Sequence, residues 1–288
     1  MDRFLLPLAS AVFLVLGLSA CQPAPTGAPS PTSSGPSVAT PPAQPARPAP
    51  SGELVVFAAA SLSEAFTEIG QRLEASAPGL RVTFNFAGSP QLRTQIEQGA
   101  RADLFASANI EQMELAVRNG VISGTPRLFA SNKLVVVVPR ENPGRIQSVG
   151  DLARPGLKLV LAQRDVPAGA YAREIFQKLS ADPTYGADFA DRTLRNVVSE
   201  EPNVRQVLAK VQLGEADAAI VYATDVTAQT ANTVQVLPIP DQFNVVALYP
   251  IAVVQGARNR EAAEAFINAV LASEGQATLK KYGFLPPP

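Results

Sequence analysis

The sequence predicts an α/β protein with a mainly parallel sheet, and three observations carry that expectation. From Glu53 onward, short β-branched and apolar runs alternate with amphipathic segments, the pattern of βα units. Several of those segments open on a helix-starting residue and close on glycine. About 236 of the 288 residues follow the first 52, which at roughly 100–200 residues per domain is one large or two modest domains.

The elements follow in order. Leu54-Val55-Val56-Phe57 is the first strand, and Ser61-Leu62-Ser63-Glu64 has the form of a capping box, with Leu62, Ala65, Phe66, Ile69 and Leu73 at helical spacing. A strand over 81–86 precedes a helix that starts at Ser89-Pro90 and stops at Gly99, proline being tolerated where no NH partner exists. A short strand over 103–106 and a helix over 109–119, ended by Gly120, come next. From Lys133–Val138 the pattern restarts, with a strand over 157–162, a helix over 169–179, a helix over 204–213 and a strand over 218–222 that leads into a short helix from Thr224. Strands over 234–237 and 245–254 precede helices over 260–271 and 274–282. No repeat at solenoid periods is present.

The N-terminal 52 residues have a different texture. Phe4–Ala20 is apolar after the single basic Arg3, as in a secretory signal; a short membrane span is the alternative, since about 17 apolar residues are the lower limit for crossing a bilayer. Leu18-Ser19-Ala20-Cys21 resembles the bacterial lipoprotein signal, which implies lipidation of Cys21. Ten of the 26 prolines fall between Gln22 and Gly52, a stretch with no aromatic residue and almost no charge. Such chain buries too little apolar surface to offset its ordering entropy and is expected to be an extended tether.

Composition excludes much chemistry. With no histidine and one cysteine there is no Ser-His-Asp or Cys-His pair, no HExxH zinc site, no thiolate cluster and no intrachain disulfide. Neither GxSxG, SxxK, a Walker A loop nor GxGxxG occurs. The 24 basic and 25 acidic residues, net −1, provide no footprint for nucleic acid. Glu200, Glu201 and Asp225 remain for acid–base work, but are expected to be solvated surface charges.

Open α/β sheets bind ligands beyond the carboxyl ends of their strands. Ser61, Ser89 and Pro167-Ala168-Gly169 fall at such junctions, where backbone NH groups at a helix start favour a compact oxyanion. Each serine is equally explained as a helix cap, and Tyr222 as a core aromatic.

Taken together, Val55-Val56-Phe57-Ala58-Ala59-Ala60-Ser61-Leu62, Phe86-Ala87-Gly88-Ser89, the run over 95–108 containing Ala102-Asp103-Leu104-Phe105, Val166-Pro167-Ala168-Gly169, Val204-Arg205, Ile220-Val221-Tyr222 and Lys281-Tyr282-Gly283-Phe284 resemble, in order, the periplasmic molybdate-binding proteins. The resemblance implies a two-lobed periplasmic-binding-protein-like fold (type II) with two hinge crossings and helices on both faces of its sheets. The N-terminal reading places the signal at 1–20 and the lipidated cysteine and tether at 21–52, and the resemblance places the first lobe at 53–131 and 243–288 and the second lobe at 132–242. It further implies a tetrahedral dianion, molybdate or tungstate, held without metal or cofactor. Ser61 and Ser89 would donate from the first lobe, Ala168 and Val204 through backbone NH, and Tyr222 through its hydroxyl.

Hydrogen bonds to a charged group contribute about 1.5–3 kcal/mol each, so five to seven suffice for micromolar to nanomolar binding. Pro90 departs from many relatives and removes one NH donor. The implied protein is a monomeric, lipid-anchored extracytoplasmic receptor that is not an enzyme and serves an ABC permease with its cytoplasmic ATPase. The competing expectations are the same fold serving sulfate or phosphate, a surface hydrolase using Glu200 and Glu201, and an adhesion role. No proposed ligand group titrates between about pH 6 and 8, so affinity is expected to be flat there.

Overall fold

The structure is a computed structural model that describes residues 49–287. The expected signal segment, Cys21 and the tether to residue 48 lie outside the described residues. Among the described residues no helix is long and apolar enough to cross a membrane.

In chain order the first elements are β1 (Gly52–Ala59), α1 (Ser63–Ser76), β2 (Leu80–Ala87), α2 (Ser89–Glu97), β3 (Leu104–Ala106), α3 (Ile110–Arg118) and β4 (Ile122–Asn132). The middle of the chain forms β5 (Leu134–Pro139), β6 (Leu159–Ala162), α4 (Pro167–Ala181), α5 (Phe189–Arg195), β7 (Val197–Glu201), α6 (Val204–Gln212), β8 (Ala218–Tyr222) and β9 (Val234–Pro238). The chain ends with β10 (Ala247–Val254), α7 (Arg260–Leu271) and α8 (Ser273–Lys281).

Two five-stranded sheets result, ordered β2-β1-β3-β10-β4 and β7-β6-β8-β5-β9. They share one plan. Three strands run parallel, from Gly52↔Leu80 to Ala59↔Ala87 in the first pair, and a reversed strand separates them from the fifth. The reversed strands are those the chain enters on crossing between sheets: β5 directly after β4, and β10 after the 239–246 connection. Each sheet is therefore mixed with a parallel majority, and the chain crosses between the lobes twice.

Helical spacing on α1 works as expected, with Ala65, Phe66 and Ile69 buried. Phe66 meets Phe129 of β4 and Phe266 of α7 at ring-centroid distances of 5.5 and 5.3 Å, so one side chain ties the first lobe's early and late segments together. The capping box expected at Ser61 does not form. A 3-10 turn over Ala60–Leu62 precedes α1 and takes Ser61 into the turn, away from the helix cap.

Three elements escaped the sequence pattern. β4 contains Gly124 and Pro126, which read as breakers; the sheet accommodates it through register shifts against β10 at Tyr249/Pro250 and Ile251/Val253. β7 is an edge strand carrying Glu200 and Glu201, and α5 is a short seven-residue helix.

Asp103 shows what a buried carboxylate can do structurally. It is fully buried, and its oxygens accept from the backbone NH of Val55 (2.9 Å), Arg258 (2.7 Å) and Asn259 (3.1 Å). It thereby pins β1 to the turn between β10 and α7. Asp103→Ala leaves those donors unpaired and is expected to destabilise folding by about 2–4 kcal/mol, read as a lower urea midpoint.

Candidate functional site

A small cavity lies where the two lobes face one another, bounded by Ala59–Ser61, Ala87–Ser89 and Ala108 from the first and by Val166–Ala168, Asn203, Val204 and Tyr222 from the second. Its volume is about 10 Å³, far below the roughly 300–1,000 Å³ usual for organic ligands, so its occupant is compact. None of its lining residues is charged. All five residues singled out from the sequence, Ser61, Ser89, Ala168, Val204 and Tyr222, lie on this wall.

Helix starts explain the convergence. Ser89 and Val204 are the first residues of α2 and α6, Ala168 is the second of α4, and Ser61 sits in the turn that runs into α1. NH groups in a helix's first turn have no intrahelical partner, and the helix dipoles place partial positive charge there. Small side chains keep those groups accessible.

The side-chain donors are differently held. Ser89 Oγ accepts from the NH of Ala108 at 3.1 Å, which leaves its own hydrogen for another partner. Ser61 Oγ lies 3.0 Å from the hydroxyl of Tyr249 on β10. The Tyr222 hydroxyl is buried and makes no hydrogen bond of ordinary geometry in the protein, although the Tyr249 hydroxyl stands close enough to act on it. Burial pushes that phenol, first of all, well above its usual range, with Tyr249 adding to the effect. It stays protonated and can only gain by meeting an acceptor.

An ion pair between the lobes flanks the cavity. Arg205, beside Val204, donates through Nη1 to Glu64 Oε1 of α1 at 2.9 Å and through Nη2 to Glu64 Oε2. Its Nε lies 3.1 Å from Oδ1 of fully buried Asp225, though not aligned as a hydrogen bond. Asp225 Oδ2 accepts from the NH of Tyr222 at 2.9 Å. Burial pushes the Asp225 carboxyl up to about 6 against the opposing pull of Arg205.

Asp225 is therefore no solvated surface charge, and a group bonded to a cavity residue titrates at the acid edge of the range in which flat affinity was expected. Glu200 pairs with Arg173, and Glu201 is largely buried and accepts from Ser199; neither lines the cavity.

The serines were legible because they stand at strand-to-helix junctions. Asn203, also on the wall, carries a visible signal as well: Asn203 and Gln206 have cap spacing, and Asn203 Oδ1 accepts from the Gln206 NH at 3.1 Å. Tyr249 has no local signal, being 188 residues from Ser61.

Molybdate-binding protein ModA of Mycobacterium tuberculosis is 41% identical to this chain over 277 residues, covering 96% of each chain. The periplasmic molybdate-binding protein of Azotobacter vinelandii shares the fold at 19% identity and a TM-score of 0.69, over 82% of this chain and all of that one. The sulfate-binding protein SubI of M. tuberculosis does so at 19% identity and a TM-score of 0.72, over 81% and 86%. Fold alone thus does not choose the anion. Residues 54–285 match the family described as bacterial extracellular solute-binding protein, and to that family this chain belongs.

Proposed function

We propose that this protein captures molybdate, and tungstate with it, in the cavity between its lobes. The observation that carries the reading is the buried, unpartnered Tyr222 hydroxyl on an uncharged wall built from helix starts and two serine hydroxyls. A fully deprotonated oxyanion is all acceptor, and every polar group proposed to meet it is able to donate. Because the donors come from both lobes, the anion favours the closed arrangement by its differential affinity.

Ser61, Ser89 and Tyr222 act through side chains, Ala168 and Val204 through backbone NH. Among the described residues no three His, Cys, Asp or Glu side chains gather as a metal group, and the reading calls on neither metal nor cofactor, nor on a catalytic step. The relatives' names support molybdate as cargo. In this reading the protein is a monomer tethered outside the cytoplasmic membrane through lipidated Cys21, and delivers the anion to an ABC permease driven by a cytoplasmic ATPase. Mass spectrometry of the native N-terminus checks the lipid.

Calorimetric titration tests the site, with molybdate, tungstate, sulfate and phosphate in competition. Molybdate and tungstate are expected to bind at micromolar concentration or below and to outcompete the others. Ser61→Ala, Ser89→Ala and Tyr222→Phe each remove a charge-assisted hydrogen bond worth about 1.5–3 kcal/mol, a loss of roughly 10–100-fold. Unchanged affinity in all three variants, or no heat with either metal oxyanion, would overturn the reading.

A further inference from the structure

Ser61 is the one cavity hydroxyl whose hydrogen-bond direction is set by residues outside the cavity. Asn132 stands where the chain leaves the first sheet. Its Oδ1 accepts from the NH of Lys133 at 2.9 Å, which fixes the amide orientation and leaves Nδ2 as the donor. Nδ2 donates to Thr224 Oγ1 at 2.8 Å and, over a longer 3.4 Å, to the hydroxyl of Tyr249.

Tyr249 is fully buried, and burial pushes its phenol far above the usual range, so its hydrogen is always present. Its hydroxyl oxygen makes hydrogen bonds with two protein partners, Asn132 and Ser61. Since Asn132 can only donate to it, the Tyr249 hydrogen has Ser61 Oγ as its acceptor. The reverse sense, Ser61 donating to Tyr249, would leave the Tyr249 hydrogen only the neighbouring Tyr222 hydroxyl, with which it makes no hydrogen bond of ordinary geometry, a costly state.

We infer that Asn132 and Tyr249 are positioning residues that fix Ser61 as a one-way donor: Asn132 Nδ2 donates to Tyr249, Tyr249 donates to Ser61, and the Ser61 hydrogen is left for the bound anion. This rests on the oxyanion reading of the cavity and adds its discriminating element. A serine hydroxyl ordinarily donates and accepts. Here Tyr249 fills one of the two lone pairs of Ser61 Oγ, which makes no other hydrogen bond in the protein, so a ligand that brings its own proton, such as hydrogen phosphate, could use the remaining lone pair only by leaving the Ser61 hydrogen unpaired. Ser89 is constrained in the same sense by the Ala108 NH, which gives selection against protonated oxyanions two anchors in the first lobe.

The test measures binding of molybdate and of orthophosphate by calorimetry to wild type, Tyr249→Phe, Ser61→Ala and the double variant. Phenylalanine keeps the ring and removes the hydroxyl. Tyr249→Phe is expected to lower molybdate affinity about 3–10-fold while orthophosphate affinity holds or rises, so that the ratio of the two falls about tenfold. In the Ser61→Ala background the same change is expected to alter neither. Equal loss for both anions, or an undiminished Tyr249→Phe effect without Ser61, would overturn the inference and mark Tyr249 as structural.

If Tyr249→Phe does not fold, Asn132→Ala read against Ser61→Ala makes the same comparison. Failure of the underlying reading is distinguishable, because it shows in the wild type as absence of molybdate binding before any variant is compared.

Discussion

Gly88→Ala is expected to weaken anion binding by about 100-fold while leaving the ligand-free protein as stable as before. Gly88 has ordinary extended dihedrals, φ −64° and ψ 139°, so alanine strains nothing locally. What it lacks is room. A Cβ there would lie 2.3 Å from the carbonyl oxygen of Pro202 and 3.6 Å from Val166 Cγ2. Both neighbours belong to the opposite lobe, and Pro202 immediately precedes Asn203 and Val204 on the cavity wall.

Backbone cannot rotate out of the way as a flexible side chain does, so the methyl group acts as a wedge between the lobes. Overpacking costs about 1–3 kcal/mol, and rigid backbone on the far side puts this contact at the upper end, hence roughly two orders of magnitude in affinity. A ligand-free arrangement with the lobes apart would bear none of this cost, and alanine at a compatible position stabilises slightly through the unfolded chain. The pair of measurements is calorimetric affinity and thermal midpoint. Lost binding with an unchanged midpoint fits the wedge; unchanged binding would mean that the lobes need not approach this closely to hold the ligand.

That glycine also shows where legibility from sequence ends. The βα texture from Glu53, the helix starts at Ser89 and Val204 and the stop at Gly214 depend on residues a few positions apart, and these emerged within a residue or two. β4 stayed hidden because Gly124 and Pro126 act as breakers unless a bulged partner receives them, and that partner, β10, lies more than a hundred residues later. In the cavity, the serines, Ala168 and Val204 stand at junctions whose chemistry is local.

The residues that orient or close it behave otherwise. Tyr249 acts on Ser61 across 188 positions, and Arg205 on Glu64 across 141. Gly88 matters through Pro202, more than a hundred residues away. Ser61 itself was placed at the right end of the right strand, but its hydroxyl serves a tyrosine from another part of the chain and caps no helix. Local pattern thus located the donors, and only the three-dimensional meeting of distant segments showed what directs them.

Arg205→Ala is expected to destabilise the protein by about 2–3 kcal/mol at pH 7.5 and by clearly less near pH 5. Arg205 is the cation beside fully buried Asp225. Removing one partner of a buried pair costs about 3–5 kcal/mol, reduced here because the guanidinium is partly exposed. The sign of the pH effect follows from Asp225. Its folded-state pKa, about 6, lies above the unfolded value, so its contribution is most favourable below about pH 4 and is lost as pH rises through 6.

Without Arg205 the attraction that holds this pKa down disappears, the carboxyl keeps its proton to higher pH, and the extra cost of ionising it falls mainly above pH 6. Asp225→Asn removes that ionisation while keeping an oxygen for the Tyr222 NH. In its background Arg205→Ala is expected to cost much less and to lose its pH dependence. Urea denaturation of the four proteins at pH 5 and 7.5 reads both effects, and a penalty independent of pH and of residue 225 would trace the loss to the Glu64 contact alone. Anion affinity carries the second signature: Arg205 also joins the lobes through Glu64, so the variant should bind more weakly even where Asp225 is protonated.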